Sequence, residues 1–433
     1  MRFEALRGFR DYLPPDAGAR SQLRHAMRGL ARRCGFVELD GPAVESLELY
    51  KVKSGEEIGQ EVWAFVDKGG REVALAPETT PTLARIFVDR AKAEPLPVKW
   101  FTVSKNWRYE EPQAGRTREF VQFNLDILGV PGIEAEVEVL SSTALMLDEI
   151  GAQGLYAFRL NDRPLAEGLG VHFGARDIPR YFWALDRYRK ITPREFFESV
   201  HEAGVSGQSA EQLRATVDLA GKGLDATQVE PYFERLLAMK LAPAAIEGID
   251  RLNRIFRLAG RVGIADRLVF DPTVVRGLAY YTSTVFEGFE AGGDSRALFG
   301  GGRYDNLIEL FGGPATPAIG LAIGDQTLEL LLRGHQRWPE GEAPLDTYVV
   351  TVSEEEVPRA LEAVHRLRRA GVSADSDLMA RSMSRQLKEA ARRRARRALI
   401  LGLKETPPGA VVERDLTSGA QRDLAWDAAL KPA

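Results

Sequence analysis

A chain of 433 residues, 44% hydrophobic and 28% charged, carries enough apolar material for a sizeable core and length for roughly two to four domains. Its net charge of -4 excludes a generally basic nucleic-acid binder while leaving local patches open, and its single cysteine, Cys34, excludes an internal disulfide. The five histidines are scattered without zinc spacing, no apolar run is long enough for a bilayer, and "MRFEALRGFRDYLPP" lacks a signal-peptide core, so the expectation is a soluble, cytoplasmic, multidomain protein that meets no membrane.

In chain order, residues 16–34 have Leu23, Met27 and Leu30 at helical spacing among arginines. "GFVELDGPAVE" turns extended and is interrupted by Pro42. From Val62 to Gly129 the texture is strand and turn, with "KGG" marking a hairpin. A helix is expected over 135–150 and a strand at "LYAFRLND". Between Arg163 and Ile264 the pattern becomes helical throughout, which reads as an insertion. Strands return from Leu268, and "RGHQRWPEGEAPLD" reads as a linker. Strand and helix then alternate to the end, as in a small α/β domain. The expected division is 1–162, 163–264, 265–333, a linker at 334–344, and 345–433.

Four stretches put polar residues where core is expected. "FVQFNLDILG" alternates, with Val121, Phe123, Leu125 and Ile127 on one face and Gln122, Asn124 and Asp126 on the other. "WFTVSKNWRYE" sets Asn106, Arg108 and Glu110 on one face in the same way, and a polar loop with Arg116 and Arg118 joins the two. A solvated outer face would explain such alternation. A binding face would explain it too, since amides and short acids suit directed hydrogen bonds and arginine forks match phosphate oxygens. In "ALAPETTPTLARIF", Glu78 precedes a helix start, either as a partner of the helix dipole or as an acid aimed into a pocket. "RGLAYYTSTVFEGF" reads as a buried strand from Tyr280 to Phe286, preceded by a fixed cation, Arg276.

These pieces together resemble the histidyl-tRNA synthetase family. "GFVELDGPAVE" is similar to class II motif 1, "WRYEEPQAGRTREF" to motif 2, and "RGLAYYTSTVFEG" to a signature of this family. "RGFRDYLP", "GGGRYDNL" and "LILGLKE…ERDLTSGAQ" fit the same family in order along the chain. The resemblance implies an α+β fold: a class II antiparallel sheet flanked by helices, a helical insertion and a C-terminal α/β anticodon-binding domain. It implies a ligase that activates L-histidine with ATP and Mg²⁺ to histidyl-adenylate and then charges tRNA-His, forming AMP and pyrophosphate. It also implies a homodimer built partly through motif 1, around Pro42.

By motif position, the resemblance gives Arg108 and Arg276 catalytic roles at the α-phosphate. Arg108, Glu110, Arg116 and Phe120 would bind ATP, with Phe120 stacked on adenine and Arg116 on the outer phosphates. Glu78 and Thr80 would hold the histidine ammonium, while Gln122, Asp126, Tyr280 and Tyr281 line the recognising side of the pocket. Gln113 and Arg118 would approach the tRNA acceptor end. A further RNA contact is expected at "SRQLKEAARRRARRAL", with Leu387, Ala391, Ala395 and Ala398 on an inner stripe and six arginines around it, although a solvated basic helix has the same pattern.

Three positions depart from the family pattern: Ala76 where an arginine is common, Ala279 where an acid is frequent, and Thr327 where class II enzymes place an ATP-binding arginine. The alternative function is that of the histidyl-tRNA synthetase-like regulatory subunit of ATP phosphoribosyltransferase, which senses histidine without ligating it. That paralogue generally lacks the C-terminal domain expected here at 345–433.

Overall fold

The computed structural model describes residues 3–54, 61–221, 223–275, 281–293, 297–341, 344–407 and 409–432. The chain forms two compact units, Met1–Pro339 and Glu340–Ala433.

The first unit opens with helix α1 (Asp16–Arg33), which buries Leu23, Met27, Leu30 and Ala31 along one stripe. Strand β1 (Val37–Glu38), strand β2 (Val44–Ser46) and helix α2 (Leu47–Ser54) follow. The expected hairpin is β3 (Ala64–Val66) with β4 (Glu72–Leu75), and β4 also pairs β2. Helix α3 (Thr80–Arg90) starts where Pro81, at its first turn, costs no hydrogen bond. Two ten-residue strands, β5 (Val98–Trp107) and β6 (Glu119–Leu128), then form the central hairpin.

Helix α4 (Glu134–Leu147) buries most of its length, including Val137, Val139, Leu140, Met146 and the acid Glu136, and β7 (Tyr156–Asp162) follows it. Asp162 caps α5 (Arg163–His172), accepting from Leu165 N. Helices α6 (Ile178–Asp186), α7 (Pro193–Glu202), α8 (Gln208–Ala220), α9 (Val229–Leu237) and α10 (Pro243–Val262) complete the helical stretch. Thr192 and Glu195 form a capping box at α7, and Gly263 at φ +78° ends α10. Leu165, Leu213, Ile249 and Ile255 of this stretch share one continuous hydrophobic core with Phe101, Phe123 and Leu125 of the hairpin. Each such buried side chain stabilises the fold by about 1.5–3 kcal/mol.

Strands β8 (Leu268–Phe270), β9 (Thr284–Glu290) and β10 (Phe299–Arg303), helix α11 (Leu307–Leu310), strand β11 (Ala318–Gly324) and helix α12 (Asp325–Gly334) finish the unit. The large sheet has the order β1-β5-β6-β11-β10-β9-β7-β8. Its six inner strands are antiparallel, while β1 joins β5 and β8 joins β7 in parallel, so the antiparallel expectation holds for the middle and not for the rims. Strand β9 begins at Thr284 rather than at Tyr280. Its partner β7 ends at Asp162, opposite Thr284, and turns there into α5, so Tyr281, Thr282 and Ser283 have no described strand to pair with on that side.

The second unit has the sheet order β13-β12-β14-β15-β16, built from β12 (Thr347–Thr351), β13 (Ala374–Ser376), β14 (Arg397–Leu401), β15 (Ala410–Asp415) and β16 (Gln421–Ala425). Helix α13 (Val357–Arg369) covers Val349, Leu399 and Leu401 on one face. On the other, Ala390 of α14 (Met383–Arg392) packs with Tyr348, Val350, Ala398 and Ile400; the short α15 (Trp426–Ala429) closes the chain. The basic helix is shorter than its arginine run suggests. It stops at Arg392, its buried residues are Gln386 and Ala390 rather than Leu387 and Ala391, and Ala398 lies in β14. Arg394, at φ +52°, breaks the helical path.

Candidate active site

The register places Phe120, Gln122, Asn124 and Asp126 of β6 on one face of the large sheet. Beside them stand Asn106, Ser104, Thr102 and Trp100 of β5 and Gly324, Ala322, Gly320 and Ala318 of β11. Gly300, Gly302 and Glu287 of β10 and β9 continue that face. Its middle is therefore paved with residues that have little or no side chain, and a cavity of about 770 Å³ opens above them. Aliphatic and aromatic residues on the opposite face pack into the core, so the polar face of β6 is a cavity floor and not a solvated exterior.

Glycine is required in two places on this floor. A Cβ on Gly320 would lie 2.0 Å from Asp126 Oδ1, so only glycine lets that carboxylate fold across β11. A Cβ on Gly302 would lie 3.1 Å from the Tyr281 ring and 2.8 Å from Thr284 O. Asp126 and Tyr304 are each 1% exposed, and the Tyr304 hydroxyl donates to Asp126 Oδ1 at 2.5 Å. Burial, and then the adjacent Asp126, push the Tyr304 phenol well above its usual range, so it stays a donor.

Glu78 and Thr80 flank the cavity from the β5 side, both buried, and Thr79 Oγ1 lies 2.7 Å from Ser104 Oγ, tying the start of α3 to the sheet. Gln122 Oε1 accepts from Asn106 Nδ2 at 3.1 Å. At the other end, the chain leaves β5 at Trp107, so Arg108 and Glu110 belong to the loop rather than the strand. Arg108 is tethered through Nε to Pro77 O at 3.0 Å and lies over the Phe120 ring at 5.4 Å. Arg116 reaches Glu110 at 3.0 Å across the tight turn formed by Gln113 and Arg116, in which Gly115 has φ +73°. A side recess of about 170 Å³ runs from Phe120 to Thr327, whose hydroxyl lies 2.7 Å from Leu298 O and 3.0 Å from Gly324 O.

The structure thus gathers Glu78, Thr80, Arg108, Glu110, Arg116, Gln122, Asp126 and Tyr281 around one cavity, with Phe120 in the adjoining recess. Arg276 and Tyr280 lie outside the described residues. Gln113 is exposed at the loop tip, whereas Arg118 is engaged: its backbone N–H donates to Gly8 O at 2.7 Å and its guanidinium stacks on Tyr109 at 4.3 Å. Pro42 borders a second cavity of about 270 Å³, which shares Glu78 with the first. The arginine run of the second unit is partly neutralised, with Arg392 on Glu389, Arg393 on Asp375, Arg396 on Asp346 and the buried Arg397 on Glu413. Tyr304 and Glu287, both lining the cavity, are absent from the residues expected on sequence; the glycine run before Tyr304 was the available signal.

Guanidinium groups at one end, a buried acid and phenol at the other, and acids between them define a cleft for a small zwitterion beside a phosphate-bearing partner. The family described as Histidyl-tRNA synthetase matches residues 8–328, and that described as Anticodon binding domain matches residues 346–431. A histidine–tRNA ligase of Haloarcula marismortui is 37% identical over 422 residues, 97% of this chain and 95% of the relative. The crystal structure of a histidyl-tRNA synthetase from Nostoc sp. PCC 7120 superposes with a TM-score of 0.85 at 22% identity, covering 99% of this chain and 98% of that one. One described as an ATP phosphoribosyltransferase regulatory subunit/histidyl-tRNA synthetase, from Bacillus halodurans, has a TM-score of 0.74 at 20% identity, covering 90% of this chain and 96% of that one. The chain belongs to the histidyl-tRNA synthetase family.

Proposed function

We propose that this chain is a ligase that joins L-histidine to tRNA-His at the expense of ATP. The observation that carries the reading is the single cavity with Arg108 and Arg116 at one end and the Asp126–Tyr304 pair at the other, in a chain of this family. The second unit, matching an anticodon-binding domain, favours the ligase over a histidine-sensing regulatory subunit, which has no need of one.

In the first step a histidine carboxylate oxygen attacks the α-phosphorus of ATP. The bond to the bridging oxygen breaks, and pyrophosphate leaves with that electron pair. In the second step a terminal ribose hydroxyl of the tRNA attacks the acyl carbon, the bond from that carbon to the phosphate oxygen breaks, and AMP leaves with that electron pair, its phosphate taking up the hydroxyl proton. Glu78 and Thr80 hold the ammonium; Gln122, Asp126, Tyr280 and Tyr281 face the rest of the amino acid. Arg108 binds the α-phosphate, Arg116 the outer phosphates, Glu110 the adenosine, and Phe120 stacks on adenine. Arg276 supplies the second fixed cation of the reacting centre. Rate comes from holding the two reactants in line and from charge that does not titrate. A pocket of paired polar groups rejects amino acids that would leave them unpaired.

Among the described residues no group of three or more acids, histidines or cysteines could hold a metal by itself. Mg²⁺ fits as a companion of the nucleotide, since it takes one or two carboxylates plus phosphate oxygens, and Glu287 in the cavity wall would be such a carboxylate. When bound it neutralises charge on the phosphates.

Gln113 and Arg118 face the acceptor end in this reading. Exposed apolar residues near Pro42, Val37 at 63% and Val44 at 41%, support a homodimer through that surface. No described helix is long and apolar enough to cross a membrane, and we place the protein in the cytoplasm. Residues 163–264 are assigned as the insertion between two parts of the catalytic domain, 1–162 and 265–333, with 334–344 as linker and 345–433 as the anticodon-binding domain. Pyrophosphate exchange into ATP, run separately with each of the twenty amino acids, tests the reading: exchange with histidine alone is expected, and its absence from folded protein would overturn the ligase.

A further inference from the structure

We infer that Asn124 is a binding residue for the histidine ammonium, its carbonyl oxygen completing the set of acceptors around that group. This rests on the reading of the cavity as the histidine site. Asn124 lines the cavity floor and is 3% exposed, and its Oδ1 has no hydrogen-bond partner among the described residues. Buried acceptors are almost always paired, so an orphan on the floor of a polar cavity marks a place where a ligand donor belongs.

The position on the sheet identifies the donor. Asp126 stands two residues further along β6 with the Tyr304 hydroxyl on it, at the end that suits the imidazole. Gln122 stands two residues in the other direction, towards Arg108. Asn124 lies midway, with Thr102 as its cross-strand neighbour on β5, and Thr102 and Glu78 line the same smaller cavity on that flank. The floor acceptor is therefore on the side from which Glu78 and Thr80 enter.

An ammonium carries three N–H donors and no acceptor. Glu78 and Thr80 supply two oxygens. The Gln122 carbonyl already accepts from Asn106 Nδ2. Of the amide carbonyls that line this cavity, Asn124 Oδ1 is the one with no partner among the described residues. An amide here adds an acceptor without adding a second negative charge beside Glu78, which would otherwise favour a proton on one of the two acids.

The test compares calorimetric binding of L-histidine with that of 3-(imidazol-4-yl)propanoate, which is histidine without its ammonium, alongside pyrophosphate exchange. For Asn124→Ala, the histidine Kd is expected to rise about tenfold or more, the usual worth of a hydrogen bond to a charged group. The propanoate Kd is expected to move by less than about twofold, because the lost acceptor has no partner on that ligand. Asn124→Asp keeps an oxygen at the same place and is expected to bind histidine within about threefold of the wild type. Equal weakening of both ligands, no weakening of either, or an aspartate variant as poor as the alanine would each overturn the inference. Wild-type protein that binds histidine without exchange would overturn the ligase while leaving these comparisons decisive. Wild-type protein that binds no histidine would overturn both.

Discussion

The Tyr304 hydroxyl donates to Asp126 Oδ1 across 2.5 Å, between residues that come from opposite sides of the glycine-paved part of the sheet. Gly320 is the reason the acid can lie there, and burial next to that acid keeps the phenol protonated. The pair fixes one acceptor face of Asp126 before any substrate arrives, and in the proposed function that face meets an imidazole N–H.

Tyr304→Phe removes the donor while keeping the ring, so the loss is confined to the hydrogen bond. A bond to a charged acceptor contributes about 1.5–3 kcal/mol, so the KM for histidine in pyrophosphate exchange is expected to rise about tenfold or more. The KM for ATP is expected to stay within about twofold, since Arg108 and Arg116 sit at the far end. A matching rise in both constants would contradict this division of the cavity.

Gly320→Ala and Gly300→Ala separate steric need from mere proximity. At Gly320 the added methyl would meet Asp126 Oδ1 at 2.0 Å, whereas at Gly300 its nearest neighbour is 3.7 Å away. Overpacking of the first kind costs about 1–3 kcal/mol, and here it also displaces the acid. Urea unfolding should show Gly320→Ala destabilised by that amount with histidine exchange lost. Gly300→Ala should unfold like the wild type; equal destabilisation of the two would refute the steric argument.

Much of the site was legible in the sequence because strand alternation is a strong local signal. The period-two pattern of Gln122, Asn124 and Asp126 against Val121, Phe123 and Leu125 told which residues share a face, although not whether that face met water or a cavity. That answer lies in β10 and β11, about 175 to 200 residues further along the chain, whose glycines hollow the floor. Tyr304 was hidden for the same reason: its partnership with Asp126 is made only by the antiparallel pairing of distant strands. Arg108 and Glu110 were read as strand residues because alternation runs on past Trp107, whereas the chain turns there into the loop. The end of the basic helix was misjudged because arginine and alanine are both good helix formers, and local propensity could not register that Arg397 is claimed by Glu413 in a sheet.

Arg303, next to Tyr304, points to the other side of the sheet and anchors it. Its guanidinium reaches Glu136 of α4 at 2.7 and 2.5 Å and the carbonyls of Val130 and Gly132 at 2.9 and 3.0 Å, with both side chains almost fully buried. Removing Glu136 leaves the buried guanidinium only Asp305, at 3.3 Å, as a counter-charge, and losing one partner of a buried pair costs up to about 3–5 kcal/mol. Glu136→Gln should show that loss in urea unfolding, and Arg303→Met together with Glu136→Leu should recover a large part of it. A single variant as stable as the wild type would mean that the pair anchors nothing.

The pair Arg397–Glu413 in the second unit makes the same argument testable by pH. The two groups meet at 2.7 Å, and Arg422 approaches Glu413 at 2.6 Å. Burial alone would raise the Glu413 carboxyl, but the hydrogen bonds from Arg397 and Arg422 outweigh it and hold the group below its usual value. An acid lowered in the folded state contributes stability that is fully present above its unfolded pKa, about 4.3, and is lost as pH falls from there through the lower folded value. Glu413→Gln should therefore destabilise the second unit at pH 7, where Arg397 is left buried without its counter-charge, by about 3 kcal/mol. The gap between variant and wild type should close as pH is lowered through that window. Hydrogen exchange of Arg397–Leu401, corrected for the intrinsic rate at each pH, reads the stability of β14 directly. A gap that stays constant into acid would mean that Glu413 acts by shape rather than by charge.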